Sequence, residues 1–107
     1  MCISQTENTY SVKIIFQRDY DDIDFEINSI EFTEPTSDDI QEINTAKQLM
    51  YYFSEIFGDS IYEYIDQDIF DLMEEVEIDN ITEVQIIDNL NNLVYYINMQ
   101  RKTVDIE

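Results

Sequence analysis

The sequence predicts an α+β fold: a β-hairpin followed by three helices, in the order ββααα, with the helices stacked on one face of a small sheet. Three patterns predict it. Apolar residues alternate at period two through 10–33, repeat at helical spacing through two segments between 36 and 77, and show a further helical repeat over 83–100. The 107 residues suit one domain, and a single Gly and a single Pro leave no linker-like stretch. No internal repeat or domain boundary is visible. Residues 1–9 and 102–107 lie outside the periodic segments and are expected to be flexible ends.

Tyr10, Val12, Ile14 and Phe16 share one side of the first strand. Ile23, Phe25 and Ile27 share one side of the second, with Asp24, Glu26 and Asn28 opposite. The phase slips at Asn28–Ser29 and resumes at Ile30 and Phe32, so this strand is expected to reach residue 33 through a β-bulge or a break. Pro35 closes the hairpin. Thr36 or Ser37 then supplies an N-cap for a helix running to about Phe57, with acids in its first turn. Ile43, Ala46, Leu49, Met50, Phe53, Ile56 and Phe57 fall within an arc of about 140° on that helix. Gly58, the only glycine, stands where a left-handed C-cap is expected.

The second helix opens with a capping box, Ser60 to Glu63, and turns Ile61, Tyr62, Ile65, Ile69, Leu72, Met73 and Val76 inward. Residues 83–100 present a choice, because EVQIID and LVYYIN could pair as strands around DNLNN. Ile86, Ile87, Leu90, Leu93, Val94 and Ile97 follow i, i+1, i+4, i+7, i+8, i+11, and that spacing predicts a helix.

Much catalytic chemistry is excluded by inventory. Histidine, the commonest general base and metal ligand, is absent. One glycine permits neither G-x-G-x-x-G nor G-x-x-x-x-G-K-[ST], and Cys2 alone allows no internal disulfide and no Cys-based metal site. The runs DYDDIDFE (19–26) and DQDIFD (66–71) supply oxygen ligands, but neither fits a calcium loop. Counting from Asp19, the sixth position is Asp24 rather than Gly and the twelfth is Ile30 rather than Glu. Asp22, Asp24 and Glu26 share a strand face, enough for a weak surface cation site only. The expectation is a protein that is not an enzyme and takes no cofactor. MCISQTEN has no basic region ahead of an apolar run, and no apolar stretch nears the roughly 20 residues of a membrane span. A cytoplasmic location in a bacterial host cell is expected.

Charge is what a fold alone does not explain. Twenty-five acids against five bases give −20, and between Asp19 and Asp88 only Lys47 offsets 22 acids. Solubility asks for roughly 2–8 net charges in a small domain. Composition bias or salt adaptation is the bland reading, but salt adaptation does not usually bring so much Ile, Phe and Tyr. A surface of one sign steers a basic partner towards it and raises association rates by roughly 10–10³.

Segment 59–79 holds nine acids in 21 residues. Along a helix that is one per about 3.5 Å, close to the phosphate spacing of a single DNA strand. Glu63, Asp66, Asp68, Asp71, Glu74 and Glu75 lie on the non-core face of this helix. With Asp22, Asp24 and Glu26 on the hairpin, they are the residues expected to enter a phosphate-binding groove. Tyr64 and Phe70 fall among these acids, and Tyr51 and Tyr52 flank the core stripe of the first helix. Either the hairpin or a loop covers these aromatics, or they anchor an interface. Direct binding of nucleic acid or of an anionic membrane is not expected of such a chain.

In small size, in the acidic runs 66-DQDIFDLMEEVEID-79 and 19-DYDDIDFE-26, and in the lack of a catalytic set, the chain resembles the phage-encoded DNA-mimic inhibitors, the anti-CRISPR and anti-restriction proteins. The likeness is one of composition. It implies binding to a host defence nuclease or effector where that machine grips DNA, such as the arginine-lined site with which a Cas effector reads the short duplex motif beside its target. These inhibitors are unrelated to one another in sequence, so no individual role carries over. The alternative is an immunity protein or antitoxin that neutralises a basic nuclease toxin by the same electrostatics. A third reading, a scaffold for a basic protein such as a histone-like one, predicts no block of nuclease activity.

Overall fold

Strand alternation builds the hairpin as expected. In the computed structural model, which describes residues 8–17, 20–29 and 31–107, β1 (Asn8–Phe16) pairs antiparallel with β2 (Ile23–Ser29). Tyr10 faces Ile27, Val12 faces Phe25 and Ile14 faces Ile23, so the apolar sides coincide. Then follow α1 (Ser37–Gln41), α2 (Ala46–Phe57), α3 (Gln67–Glu75), β3 (Ile81–Asp88), β4 (Leu93–Asn98) and β5 (Thr103–Ile106), with 3₁₀ turns at Asp59–Glu63 and Ile78–Asn80. The five strands form one antiparallel sheet in the order β2-β1-β3-β4-β5. Both β2 and β3 run antiparallel to β1 and are therefore parallel to each other. Two parallel strands of one sheet need a long crossover, and residues 31–80 with α1, α2 and α3 lie in it.

The ββααα order is overturned, because strands dominate and the predicted third helix is the β3–β4 hairpin. In that pairing Val84 faces Ile97 and Ile86 faces Tyr95, all four buried, while Ile87 and Val94 meet on the other side of the sheet. Leu90, needed to complete the helical stripe, is instead at the tip of the turn and 61% exposed. What decides is turn chemistry. Asp88 is only 3% exposed, and its carboxylate accepts the Leu90 and Asn91 N–H groups, each at 3.1 Å, and Asn91 Nδ2 at 2.9 Å. Asn92 takes φ 57°, a left-handed position that Asn tolerates. The β-branched and aromatic residues on both sides of DNLNN favour strands. Asn98 repeats the device one turn later, accepting Gln100 N–H and Arg101 N–H at 2.9 Å, with Lys102 at φ 59°. The tail expected to be free from residue 102 thereby pairs with β4 as β5.

The two long helices are also shorter than expected. The first divides into α1 and α2. Thr36 caps α1, its hydroxyl accepting Asp39 N–H at 3.2 Å. Thr45 starts α2 with a reciprocal capping box, Thr45 to Gln48, which outcompetes continuation from α1. The second divides at Tyr64–Asp66 into a 3₁₀ turn and the nine-residue α3. The break lets Ile61 and Ile65 bury in the core while α3 lies against α2. The Ser60 side chain of the expected capping box lies outside the described residues, as does Ile30. The second strand ends at Ser29, whose buried hydroxyl donates to the Phe57 carbonyl at 2.9 Å and ties the strand end to the end of α2. Gly58 does terminate α2, but at φ 91°, ψ 165° rather than in the left-handed helical region. That backbone is essentially open to glycine alone.

The core lies between the sheet and the helices. Phe25 meets Phe53 edge-on at 6.3 Å, and Tyr10 meets Phe57 in the same manner at 5.3 Å. Phe32 stacks on Tyr10 at 4.6 Å and also contacts Phe57 and Tyr95, which seals the entrance to the crossover. Each fully buried side chain of this size contributes about 1.5–3 kcal/mol. Among the described residues no helix is long and apolar enough to cross a membrane.

Candidate protein-binding surface

The crossover carries the charge. Between Glu31 and Asp79 there are fifteen carboxylates, all exposed, and one cation, Lys47. Alternation explains part of this, since each buried apolar position on a short amphipathic helix leaves its neighbours to solvent. Asp68, Asp71, Glu74 and Glu75 project from α3, four acids on nine residues. At 1.5 Å per residue they span about 10 Å from Asp68 to Glu75, about a third of the length that one continuous helix would give the row of acids. Glu63 ends the 3₁₀ turn and Asp66 is the N-cap of α3, both exposed but off the α3 helix. Asp71 accepts Gln67 Nε2 at 3.0 Å, one turn away.

The hairpin acids do not join this group. Asp24 and Glu26 alternate with Phe25 and Ile27, which are buried beneath the helices, so both carboxylates point from the opposite face of the sheet. Asp22 is exposed just ahead of β2. Asp24 and Glu26 therefore do not share a face with the α3 acids. Among the described residues no group of three or more His, Cys, Asp or Glu is gathered to hold a metal.

The aromatics separate into two kinds. Tyr64 is half-buried and packs on the core. Tyr52 is 5% exposed, its hydroxyl donating to Asp39 Oδ2 at 3.4 Å. Burial raises its pKa to about 12, with the Asp39 charge adding to the rise and the Thr36 backbone hydrogen bond opposing it. Tyr51 is 53% exposed, and so is Tyr62 at 40%, although helical periodicity placed Tyr62 in the core. The 3₁₀ geometry of 59–63 rotates Tyr62 off the buried side. Phe70 is half-buried with its ring 5.7 Å from that of Tyr62.

These groups form a continuous surface along α2. At one end is an acidic cleft of about 190 Å³ where Asp39, Glu42 and Glu55 surround Tyr51 and Tyr52. Tyr51 is shared with an apolar notch of about 160 Å³ between α2 and α3, where Met50, Tyr62, Phe70 and Met73 form most of the lining. Beyond Glu74 the surface turns acidic again at Glu75, Glu77 and Asp79. An apolar, aromatic centre within a charged rim is the anatomy of a protein-binding site. Sequence reasoning missed Asp39, Glu42, Glu55 and Tyr62 as parts of it, because it treated Asp39 as a helix-start acid and Tyr62 as core and gave Glu42 and Glu55 no role.

No protein-family model, curated protein or solved structure matches the chain.

Proposed function

We propose that the protein binds a basic nucleic-acid-binding protein and keeps nucleic acid out of its site, as a DNA-mimic inhibitor of a host defence nuclease or effector does, in the bacterial cytoplasm and without a cofactor. One observation carries the reading: fifteen exposed carboxylates against Lys47 on a crossover in which few of them, such as Asp39 and Glu34 beside buried tyrosines, hydrogen-bond within the fold. Their repulsion opposes folding, and a partner rich in Lys and Arg turns it into attraction. The α3 acids keep the mean spacing of a nucleic-acid strand over about 10 Å, and the neighbouring apolar notch supplies what a phosphate chain lacks, a preference for one protein.

Affinity capture from the native host lysate, at low and at high salt, tests this. The expected result is a nucleic-acid-binding protein retained at low salt and released at high salt, whose DNA binding in a mobility-shift assay is blocked by the purified inhibitor. Charge reversal of Asp66, Asp68, Asp71, Glu74 and Glu75 should abolish capture. Recovery of no nucleic-acid-binding protein at low salt overturns the reading. Recovery of a toxin nuclease encoded beside this chain assigns it instead as an immunity protein.

A further inference from the structure

We infer that the notch between α2 and α3 receives an arginine side chain of the basic partner, its guanidinium lying on the Tyr51, Tyr62 and Phe70 rings with Glu74 at the rim; the inference rests on the function proposed above. The notch follows from helical spacing. Lys47, Met50 and Tyr51 stand at i, i+3 and i+4 on one face of α2, and Phe70, Met73 and Glu74 at i, i+3 and i+4 on the facing side of α3. Met50 and Met73 are buried and form a polarisable floor, while the exposed Tyr51 and Tyr62 form walls.

Size and chemistry select the occupant. A volume of about 160 Å³ is well under the roughly 300–1,000 Å³ of pockets that enclose a small molecule, and it suits one inserted side chain. The surroundings are acidic on both sides, with Asp39, Glu42 and Glu55 across Tyr51 and Glu75 and Glu77 beyond Glu74, so charge complementarity calls for a cation. Aromatic walls favour guanidinium over ammonium, because the planar guanidinium stacks on rings and sheds its hydration more readily. Lys47 is the sole cation lining the notch. Its ammonium opposes an arriving arginine, which gives the inference a distinctive consequence: removing Lys47 tightens binding.

Calorimetric titration with nine-residue oligoarginine and oligolysine peptides of equal charge, at about 150 mM salt, reads this directly. Oligoarginine is expected to bind about three- to fivefold tighter, the size of an exposed cation–π preference. Tyr51→Leu with Tyr62→Leu should erase that preference and leave oligolysine affinity within about twofold, whereas Tyr51→Phe with Tyr62→Phe should keep it. Both tyrosines are exposed, and thermal melts verify that the variants stay folded. Lys47→Ala should tighten oligoarginine binding more than Lys13→Ala, which removes the same charge from the far face of the sheet. Equal affinity for the two peptides, a preference that survives loss of both rings, or equal effects of Lys47→Ala and Lys13→Ala overturns the inference and leaves the proposed function standing. Failure of both peptides to bind even at low salt overturns both.

Discussion

The crossover and the sheet use carboxylates in opposite ways. In the sheet, Asp88 is buried, and both its oxygens accept hydrogen bonds that define the β3–β4 turn. In the crossover, fifteen carboxylates are exposed with one cation among them, and of these Glu34 and Asp39 accept the hydroxyl of a buried tyrosine. A carboxylate that serves the fold is desolvated, and its cost is offset by donors aimed at it. A carboxylate that serves a partner keeps its hydration until the partner arrives. The two regions thus separate framework from function within one small domain, and each prediction below probes that separation.

The seam between the regions should be the most sensitive place. Phe57 ends α2, is 1% exposed, and touches Tyr10 and Phe32. Phe57→Ala is expected to cost about 3–5 kcal/mol in urea denaturation; a loss below about 1 kcal/mol would mean that the crossover does not depend on the sheet. Next is Asp88→Ala, which strips the β3–β4 turn of three hydrogen bonds to a charged acceptor and leaves their donors, on exposed Leu90 and Asn91, to water. About 2–3 kcal/mol is expected, with Asp88→Asn recovering part of it. A neutral result would remove the contrast between the two kinds of carboxylate.

The third effect appears only in alkali. Tyr52 belongs to the crossover and Tyr95 to the sheet, and both have a pKa of about 12. Burial is the first cause in each, followed for Tyr95 by the charge and hydrogen bond of Glu34, whose Oε1 accepts the hydroxyl at 3.3 Å. An unfolded tyrosine titrates near 10. A raised folded pKa means that the stabilisation is fully present below about pH 10 and is lost as pH climbs through about 12. The wild-type urea midpoint should therefore fall more steeply between pH 10 and 12 than that of a Tyr52→Phe, Tyr95→Phe variant. Parallel slopes would show that neither hydroxyl is held in its neutral form by the fold.

How much of this was legible in the sequence differs by region. The β1–β2 pairing follows from alternation, and the inward stripe of α2 from helical spacing. The β3–β4 hairpin was misread because six apolar residues satisfy a helical repeat by coincidence, while the decisive information lay in polar residues, Asp88 and the Asn-rich turn. Thr45 and Gln48 carried a readable start signal for α2 that longer-range periodicity hid. The break at Tyr64–Asp66 has no comparable local signal, since Asp66 makes no side-chain cap; core packing of Ile61 and Ile65 imposes it. For the surface, exposure of the acids was predictable from their type. Their division between two faces was not, because it depends on which side of the sheet the crossover covers.

The smallest stability effect is the most informative one. Replacing Asp66, Asp68, Asp71, Glu74 and Glu75 by Asn or Gln takes the net charge from −20 to −15 without changing side-chain shape. All five are exposed, and substitutions at such sites usually stay within about 0.5 kcal/mol each. Asp68 lies in the first turn of α3, so its loss gives up roughly 0.3–1 kcal/mol of helix-dipole interaction. Asp71 also trades a charged acceptor for Gln67 for a neutral one. Relief of repulsion among the remaining acids acts in the opposite direction, and it should be larger at low ionic strength, where the Debye length is about 30 Å at 0.01 M. The variant is therefore expected to melt within a few degrees of wild type in about 150 mM salt and above it in about 10 mM salt, while capture of the basic partner is lost. A variant that melts far below wild type at both salts would place these carboxylates in the framework with Asp88, and the division between the two regions would fail.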